Sequence, residues 1–381
     1  MKFEIFLNRI FILYFKIIGG CIRYNIIMTK IMKVDSVQFF YSIAAFGNVI
    51  LIPLLASELG GNEYEIGMVV GIYNCALFLS SYLFGRLSDI YDKRTIIIFG
   101  LIASALSFFL HVFISSLFTL AAVRCLAGFC MGIFPSALVA YVYESKMKFG
   151  RFLSFGPFGA FVGSLIVGII GIYSRIFMFS SVALLISFLF AISLKPIKSE
   201  RIKVPKIPLD LVKHNLKVYL PFFIRHSSAH AIWVILPLFI IQLGGNKMWI
   251  GALYAINFFF QFIFMNLLER VKTSRLMGVG FLSSSLTFLA FSSAKNIYHL
   301  IPIEIMLGFS WSTLFIGMNL YLLKTNKEHS TAIGLLGSVQ SFSIICGSFI
   351  GGYLAYVFDY RIAMLLASIF TVIAFILNRV L

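Results

Sequence analysis

The sequence predicts an all-α membrane protein whose twelve transmembrane helices form two pseudo-symmetric six-helix bundles. Three observations carry that expectation. The first is composition: 60% of the 381 residues are hydrophobic and 12% are charged, against roughly a quarter charged in an ordinary soluble domain. The 43 Phe residues exceed what a water-soluble core of this size can hide. The second is run length. The apolar runs are continuous and about 20 residues long, the length a helix needs to cross hydrocarbon. A transmembrane barrel would alternate apolar and polar residues instead. The third is an internal repeat. Together they exclude a soluble enzyme, a nucleic-acid-binding module and a disordered chain, and they leave the backbone to be satisfied inside helices.

The apolar runs fall near residues 36–58, 65–85, 95–114, 117–143, 152–173 and 175–195, which make a first bundle over 36–195. A polar linker with Lys and Pro follows over 196–217. Six more runs, near 218–243, 249–268, 275–294, 298–323, 331–357 and 360–380, make a second bundle over 218–381. Residues 1–35 stand apart. Lys2, Arg9, Lys16 and Arg23 are spaced by seven and would form one basic stripe on a helix. Two readings fit this segment: an interfacial amphipathic helix on an anionic leaflet, or a start assigned upstream of Met28 or Met32. A cleaved signal peptide does not fit, because Glu4, Arg9 and Lys16 interrupt the apolar stretch.

The formal net charge is +17. Its distribution is that of a topology signal. With the N-terminus inside, cytoplasmic segments hold 21 Lys and Arg, and the external loops hold 4, namely Arg175, Lys247, Lys295 and Arg361. That bias places both termini in the cytoplasm and makes the chain a multi-pass protein of the cell membrane. The basic charge then faces the anionic inner leaflet, and no nucleic-acid partner is expected.

The repeat runs in three ordered blocks. Pro53, Leu59-Gly60-Gly61-Asn62 and Ile66-Gly67 recur as Pro237, Leu243-Gly244-Gly245-Asn246 and Ile250-Gly251, at an offset of 184. Gly100, Arg124 and Gly128 recur as Gly280, Glu304 and Gly308, at 180. Gly163-Ser164 and Gly168 recur as Gly347-Ser348 and Gly352, again at 184. Two such halves, related by an axis along the membrane normal, enclose a cavity near the midplane.

Between the second and third runs stands Gly85-Arg86-Leu87-Ser88-Asp89-Ile90-Tyr91-Asp92-Lys93-Arg94. Gly85 would let two helices approach closely. Asp89 is a carboxylate at a helix end, where a neighbouring helix N-terminus would stabilise it. Lys93 and Arg94 would pair with Glu144, so that these five residues latch the halves together. The segment resembles the G-x-L-x-D-R-x-G-R-K loop of the major facilitator superfamily, with Ile90 and Asp92 departing from the pattern. Arg124-Cys125-Leu126-Ala127-Gly128 resembles the R-x-x-x-G pattern of the same family. The resemblance covers residues 36–381. It implies a secondary transporter working by alternating access, with runs 1, 4, 7 and 10 lining the cavity. Gly159, Gly163 and Gly168 fit the family's antiporter pattern in part, since Ser164 stands where that pattern has Pro.

Arg124, Arg225, His226, His230 and Glu304 are the candidates for proton coupling or substrate binding. A charged group inside a span is costly and should face a cavity or a partner. Arg124 and Glu304 are repeat-mates of opposite sign; an ion pair between the halves is one reading and substrate or proton handling is the other. Histidine changes charge near neutral pH. At 1.5 Å per residue, His230 lies roughly 18 Å from the cytoplasmic boundary and Glu304 about 9 Å from the external one, nearly equal depths in a core about 30 Å thick. The expectation is that His230 and Glu304 exchange a proton, while Arg225 binds an anionic group. Asn48, Asn74, Trp233, Asn257, Gln261, Trp311, Asn319 and Gln340 are the polar candidates for the cavity lining.

His226 and His230, four apart, share a face, yet no third ligand accompanies them, so no metal is expected. The five Cys form no CxxC pair and are read as small buried hydrophobes. No cofactor is expected, and the chain contains no GxxxxGK[ST] loop for an ATP-driven mechanism. The expected partners are a small-molecule substrate, protons and the lipid bilayer, with the chain acting as a monomer. Efflux is slightly favoured over uptake. The alternative is a non-transporting sensor or scaffold that keeps the same fold; a membrane-embedded enzyme would need acidic or metal-binding clusters that the sequence lacks.

Overall fold

The structure, a computed structural model, describes residues 27–49, 52–61, 63–197, 208–268 and 273–381. Every regular element among them is helical. The first half comprises α1 (Ile27–Val49), α2 (Ile52–Glu58), α3 (Glu63–Ile90), α4 (Lys93–Leu110), α5 (Leu117–Met131), α6 (Pro135–Glu144), α7 (Phe149–Ile170) and α8 (Tyr173–Ile192). A short α9 (Leu209–His214) lies in the linker. The second half comprises α10 (Leu216–Trp233), α11 (Leu236–Gln242), α12 (Lys247–Leu267), α13 (Thr273–Ser293), α14 (Leu300–Thr325), α15 (His329–Val357) and α16 (Tyr360–Val380).

Two rods are broken pairs, α5 with α6 and α10 with α11, and α1 with α2 fills the first predicted span. Proline explains where the later segment of each broken pair begins. Pro135 and Pro237 fall in the first two positions of α6 and α11. Proline lacks an amide donor and presets φ, so it is tolerated only where a helix starts. Counting each pair once gives twelve rods. Ten described spans are long and apolar enough to cross a membrane, and the α10/α11 pair, bent by 40°, makes eleven. The α1/α2 pair is the remaining rod. Large apolar side chains such as Phe118, Leu189 and Phe349 stand exposed on the outside of the bundle, as a lipid-facing surface requires.

The repeat in sequence is a repeat in structure. Gly60 and Gly244 both take a positive φ, 86° and 85°, which glycine adopts without steric cost. The next amides, of Gly61 and Gly245, donate to the carbonyls of Ala56 and Ile240 at 2.9 Å in both halves, the same helix-ending turn. Gly128 packs on the Tyr73 backbone and Gly308 on that of Asn257; Gly163 packs on Ile43 and Gly347 on Ser227. Each partner pair is offset by 184.

The packing follows suit. In the first half α1 contacts α7 and α8, α3 and α4 contact α5, and α4 contacts α8. In the second half α10 contacts α15 and α16, α12 and α13 contact α14, and α13 contacts α16. The halves meet along two seams, α3 against α15 and α7 against α12, and the repeat exchanges one seam for the other.

Two boundaries differ from expectation. Helix α1 is already formed at Ile27, nine residues before the predicted apolar run. The charges there have partners at the bundle's edge: Asp35 lies 2.9 Å from Arg151, and Lys33 donates to the Ser193 carbonyl at 3.4 Å. The linker also contains α9, which its polar composition concealed. The basic stripe expected over residues 2–23 lies outside the described residues.

Candidate functional site

The first candidate region is the end of the bundle that carries residues 85–94, called the basic end here. Asp89 stands in the last turn of α3. Its Oδ1 accepts from the Ser330 amide at 3.0 Å. Its Oδ2 accepts from the Thr331 amide and the Thr331 hydroxyl, each at 2.7 Å. Ser330 and Thr331 belong to the first turn of α15, whose amides have no partner in their own helix and sit at the positive end of its dipole. Lys93, at the start of α4, lies 3.8 Å from Asp89 and 3.2 Å from Glu144 at the end of α6. The same Glu144 oxygen is 2.9 Å from His329 Nδ1. The first half therefore holds α15 by a network of buried charges, with Asp89 3% and Lys93 2% exposed. Such groups are tolerable at this depth only because each is paired and hydrogen-bonded.

Arg94 does not join this network, contrary to expectation. It donates to the Ile192 carbonyl at 2.7 Å, tying α4 to the end of α8. Adjacent helical residues point about 100° apart, so Lys93 and Arg94 cannot both face Glu144. Sequence reasoning missed His329, Ser330 and Thr331. The available signal was a Ser-Thr pair at a helix start, which is common at any N-terminus.

Close backbone approach completes this seam. A Cβ on Gly85 would stand 2.7 Å from the Ser330 carbonyl oxygen and 2.9 Å from Gly334 Cα. Ser338 donates to the Phe78 carbonyl at 2.7 Å. On the second seam Asn266 donates to Ser154 Oγ at 2.7 Å, and the rings of Phe158 and Phe262 stack at 4.8 Å. These polar ties fall toward the basic end of their helices. Near the far end of α3, α12 and α15, by contrast, the positions of Gly71, Gly251 and Gly352 face open space.

Each half also has a buried polar cluster. In the first, the Arg124 guanidinium lies 3.9 Å from the Tyr73 ring centroid, a cation–π contact. Arg124 is 2% exposed, yet its Nε and Nη1 have no hydrogen-bond partner. Tyr41 packs its ring edge-on against Phe134 at 4.9 Å. Both amide atoms of Asn48 are buried without a partner. Asn74 is satisfied locally, by the Val70 carbonyl at 2.9 Å.

In the second half, Arg225 Nε donates to Ser284 Oγ at 3.0 Å, and its guanidinium lies 5.4 Å from the rings of Phe288 and Trp311. His226 sits between Phe222 and Trp311, and neither of its ring nitrogens has a partner. The His226 and His230 rings are 4.7 Å apart. Asn257 donates to the Glu304 backbone carbonyl at 3.2 Å and accepts from Gln261. Trp233 packs against Tyr254 and Phe291. Asn319 bonds the Phe315 carbonyl of its own helix, and Gln340 is half-buried.

Among the described residues no hydrogen bond or ion pair joins Glu304 to Arg124, Arg225 or His230. The two clusters are nonetheless built on one plan. Tyr41, Tyr73, Ser104 and Arg124 occupy the repeat positions of Arg225, Asn257, Ser284 and Glu304. The scaffold is shared and the charges are redistributed over it.

Comparison with known proteins agrees with this architecture. The sequence profile of the Major Facilitator Superfamily matches residues 35–245 and, a second time, 218–381. An uncharacterized transporter of Buchnera aphidicola is 28% identical over 225 residues, 54% of this chain and 56% of that protein; the chain thus spans little more than half of that relative. The multi-drug resistance efflux pump PmrA of Streptococcus pneumoniae is 24% identical over 338 residues, 79% of this chain and 84% of the pump. The crystal structure of the human organic anion transporter MFSD10 superposes with a TM-score of 0.81 at 13% identity, covering 92% of this chain and 99% of that one. At that identity the likeness is one of fold. These matches define a multi-pass membrane protein of the transporter class. The chain belongs to the Major Facilitator Superfamily.

Proposed function

We propose that the protein is a secondary active transporter that moves a small solute across the cytoplasmic membrane by alternating access. It acts as a monomer and exports its solute against an inward flow of protons. Both termini face the cytoplasm, so the basic end is the inner gate. The observation that carries this reading is the pairing of two matched halves that interlock through charged and backbone ties at the basic end. Asp89, Ser330 and Thr331 tie that end, while the buried clusters beyond it hold Arg124, Arg225 and Glu304 without an ion pair among them. Rocking the halves would exchange a closed inner gate for a closed outer one.

Export is supported by the relative described as a multi-drug resistance efflux pump, aligned over 79% of this chain. Proton coupling is assigned to Glu304. Of the 14 Asp and Glu, it alone lies in the interior of an apolar run, and it is buried beside Asn257. An exchange with His230 belongs to a state in which α10 and α14 have moved, since no hydrogen bond or ion pair joins the two here.

Reconstituted vesicles with an imposed pH gradient test the reading. The wild type should drive uptake of labelled solutes from a broad panel into acid-loaded vesicles. E304Q should lose the gradient-driven component and keep solute exchange without a gradient. Gradient-driven flux that survives in E304Q removes Glu304 from coupling, and a wild type that moves no solute removes transport.

A further inference from the structure

We infer that the cargo is an organic monoanion and that Arg124 holds its acidic group. This rests on the transport reading above and names the class of solute it applies to. Three ionisable groups lie in the membrane interior: the guanidiniums of Arg124 and Arg225, which stay charged, and the carboxyl of Glu304, which exchanges the coupled proton. Arginine cannot release its proton in a protein. No ion pair joins the three. With Glu304 ionised, the set carries one uncompensated positive charge. Protonation of His226 or His230 would deepen that excess. Enclosing a net charge away from water is strongly unfavourable, so a cargo with one negative charge lets the site between the halves close at neutrality while Glu304 is ionised. A cation adds to the excess, and a neutral solute leaves it in place.

The two arginines differ in what they still need. Arg225 Nε is already satisfied by Ser284, and its guanidinium is walled by Phe288 and Trp311. Arg124 is as deeply buried, but its Nε and Nη1 have nothing to donate to. The Tyr73 ring covers its face, which leaves the in-plane N–H groups for an oxyanion. The aromatic surroundings of Tyr73 and Tyr41 suit an apolar body behind that oxyanion.

Thermal unfolding of the purified protein in nanodiscs, at fixed ionic strength, tests this. The probes are aliphatic and aromatic carboxylates and sulfonates, each beside the amine and the alcohol of the same carbon skeleton. Some acids should raise the wild-type midpoint while their amines and alcohols do not. R124Q should abolish the rise. R124K, which keeps the charge and loses the fork, should weaken apparent affinity roughly tenfold or more; it also serves if R124Q fails to fold. The inference is overturned if no acid stabilises the wild type, if amines stabilise as well as acids, or if both variants respond like the wild type. Flux in vesicles separates the two readings. Acids that bind through Arg124 without being carried would retain this site and remove transport, whereas carried amines with no acid binding would do the reverse.

Discussion

Asp89 and Thr331 are joined twice, by the amide and by the hydroxyl of Thr331, both donating to one carboxylate oxygen at 2.7 Å. With the Ser330 amide at 3.0 Å on the other oxygen, the carboxylate is matched to the first turn of a helix from the opposite half. Hydrogen bonds to a charged group contribute about 1.5–3 kcal/mol each. D89N keeps the shape, discharges the group and turns an amide donor toward a backbone donor. We expect it to open the basic end. A cysteine at Ser81, whose side chain faces Gly337, placed in a background without the native cysteines, should react with an impermeant maleimide about tenfold faster, the ratio for ~1.4 kcal/mol. An unchanged labelling rate would take Asp89 out of the gate.

Gly85 and Gly334 make that seam close. A Cβ on Gly334 would stand 3.0 Å from Gly85 Cα, and one on Gly85 would stand 2.9 Å from Gly334 Cα. Neither helix can yield without separating the halves. G85A should therefore destabilise the interlocked form by about 1–3 kcal/mol, as overpacking does, and lower flux. G71A, on the same helix but facing open space, should stay within about 0.5 kcal/mol of the wild type. Unfolding midpoints of the two variants measured side by side decide the matter, and equal effects would remove the steric argument.

How much of this was legible in the sequence depended on range. The apolar runs and the repeat are local patterns, and the offset of 184 carries Gly60 and Gly61 onto Gly244 and Gly245 in the same turn. Asp89, Lys93 and Glu144 could be singled out because charges at helix ends near an apolar chain are few. Thr331 could not, since it stands 242 residues from Asp89 and offers mainly a backbone amide, which nearly every residue has. Tyr73 beneath Arg124 was hidden for a related reason: one ring among 43 Phe and 17 Tyr carries no mark. Arg94 was misassigned because adjacency in sequence hides the turn of the helix between it and Lys93.

Glu144 takes two donors on one oxygen, Lys93 at 3.2 Å and His329 at 2.9 Å. They are not equivalent. His329 is 20% exposed as a side chain, against 2% for Lys93, and its loss leaves Glu144 still paired. H329A should cost about 0.5–1.5 kcal/mol, a typical single hydrogen bond. K93A removes the cation beside the buried Asp89 and one of two partners of the half-buried Glu144, and losing these charged contacts should cost about 1.5–3 kcal/mol. Removing Glu144 as well should restore part of that loss. Denaturant or thermal unfolding of H329A, K93A and K93A/E144A checks the order, and a larger loss in H329A than in K93A would mean that the network is centred elsewhere.

The second seam is joined differently, and this bears on how the halves could move. Asn266 reaches across from α12 to Ser154 Oγ at 2.7 Å while bonding the Phe262 carbonyl of its own helix at 2.9 Å. Next to this neutral contact, Phe262 stacks on Phe158 at 4.8 Å. An aromatic stack can slide with little loss, whereas the charged ties of Asp89 must break outright. The α7–α12 seam would then act as the pivot and the α3–α15 seam as the lock. A double-mutant cycle over S154A and N266A should show a coupling of about 0.5–1.5 kcal/mol in stability. The same variants should leave maleimide labelling at Ser81 within about twofold of the wild type, since a loss near 0.4 kcal/mol or less is all that reaches the lock. A tenfold acceleration in S154A, equal to that expected of D89N, would show that both seams open together and that neither serves as the hinge.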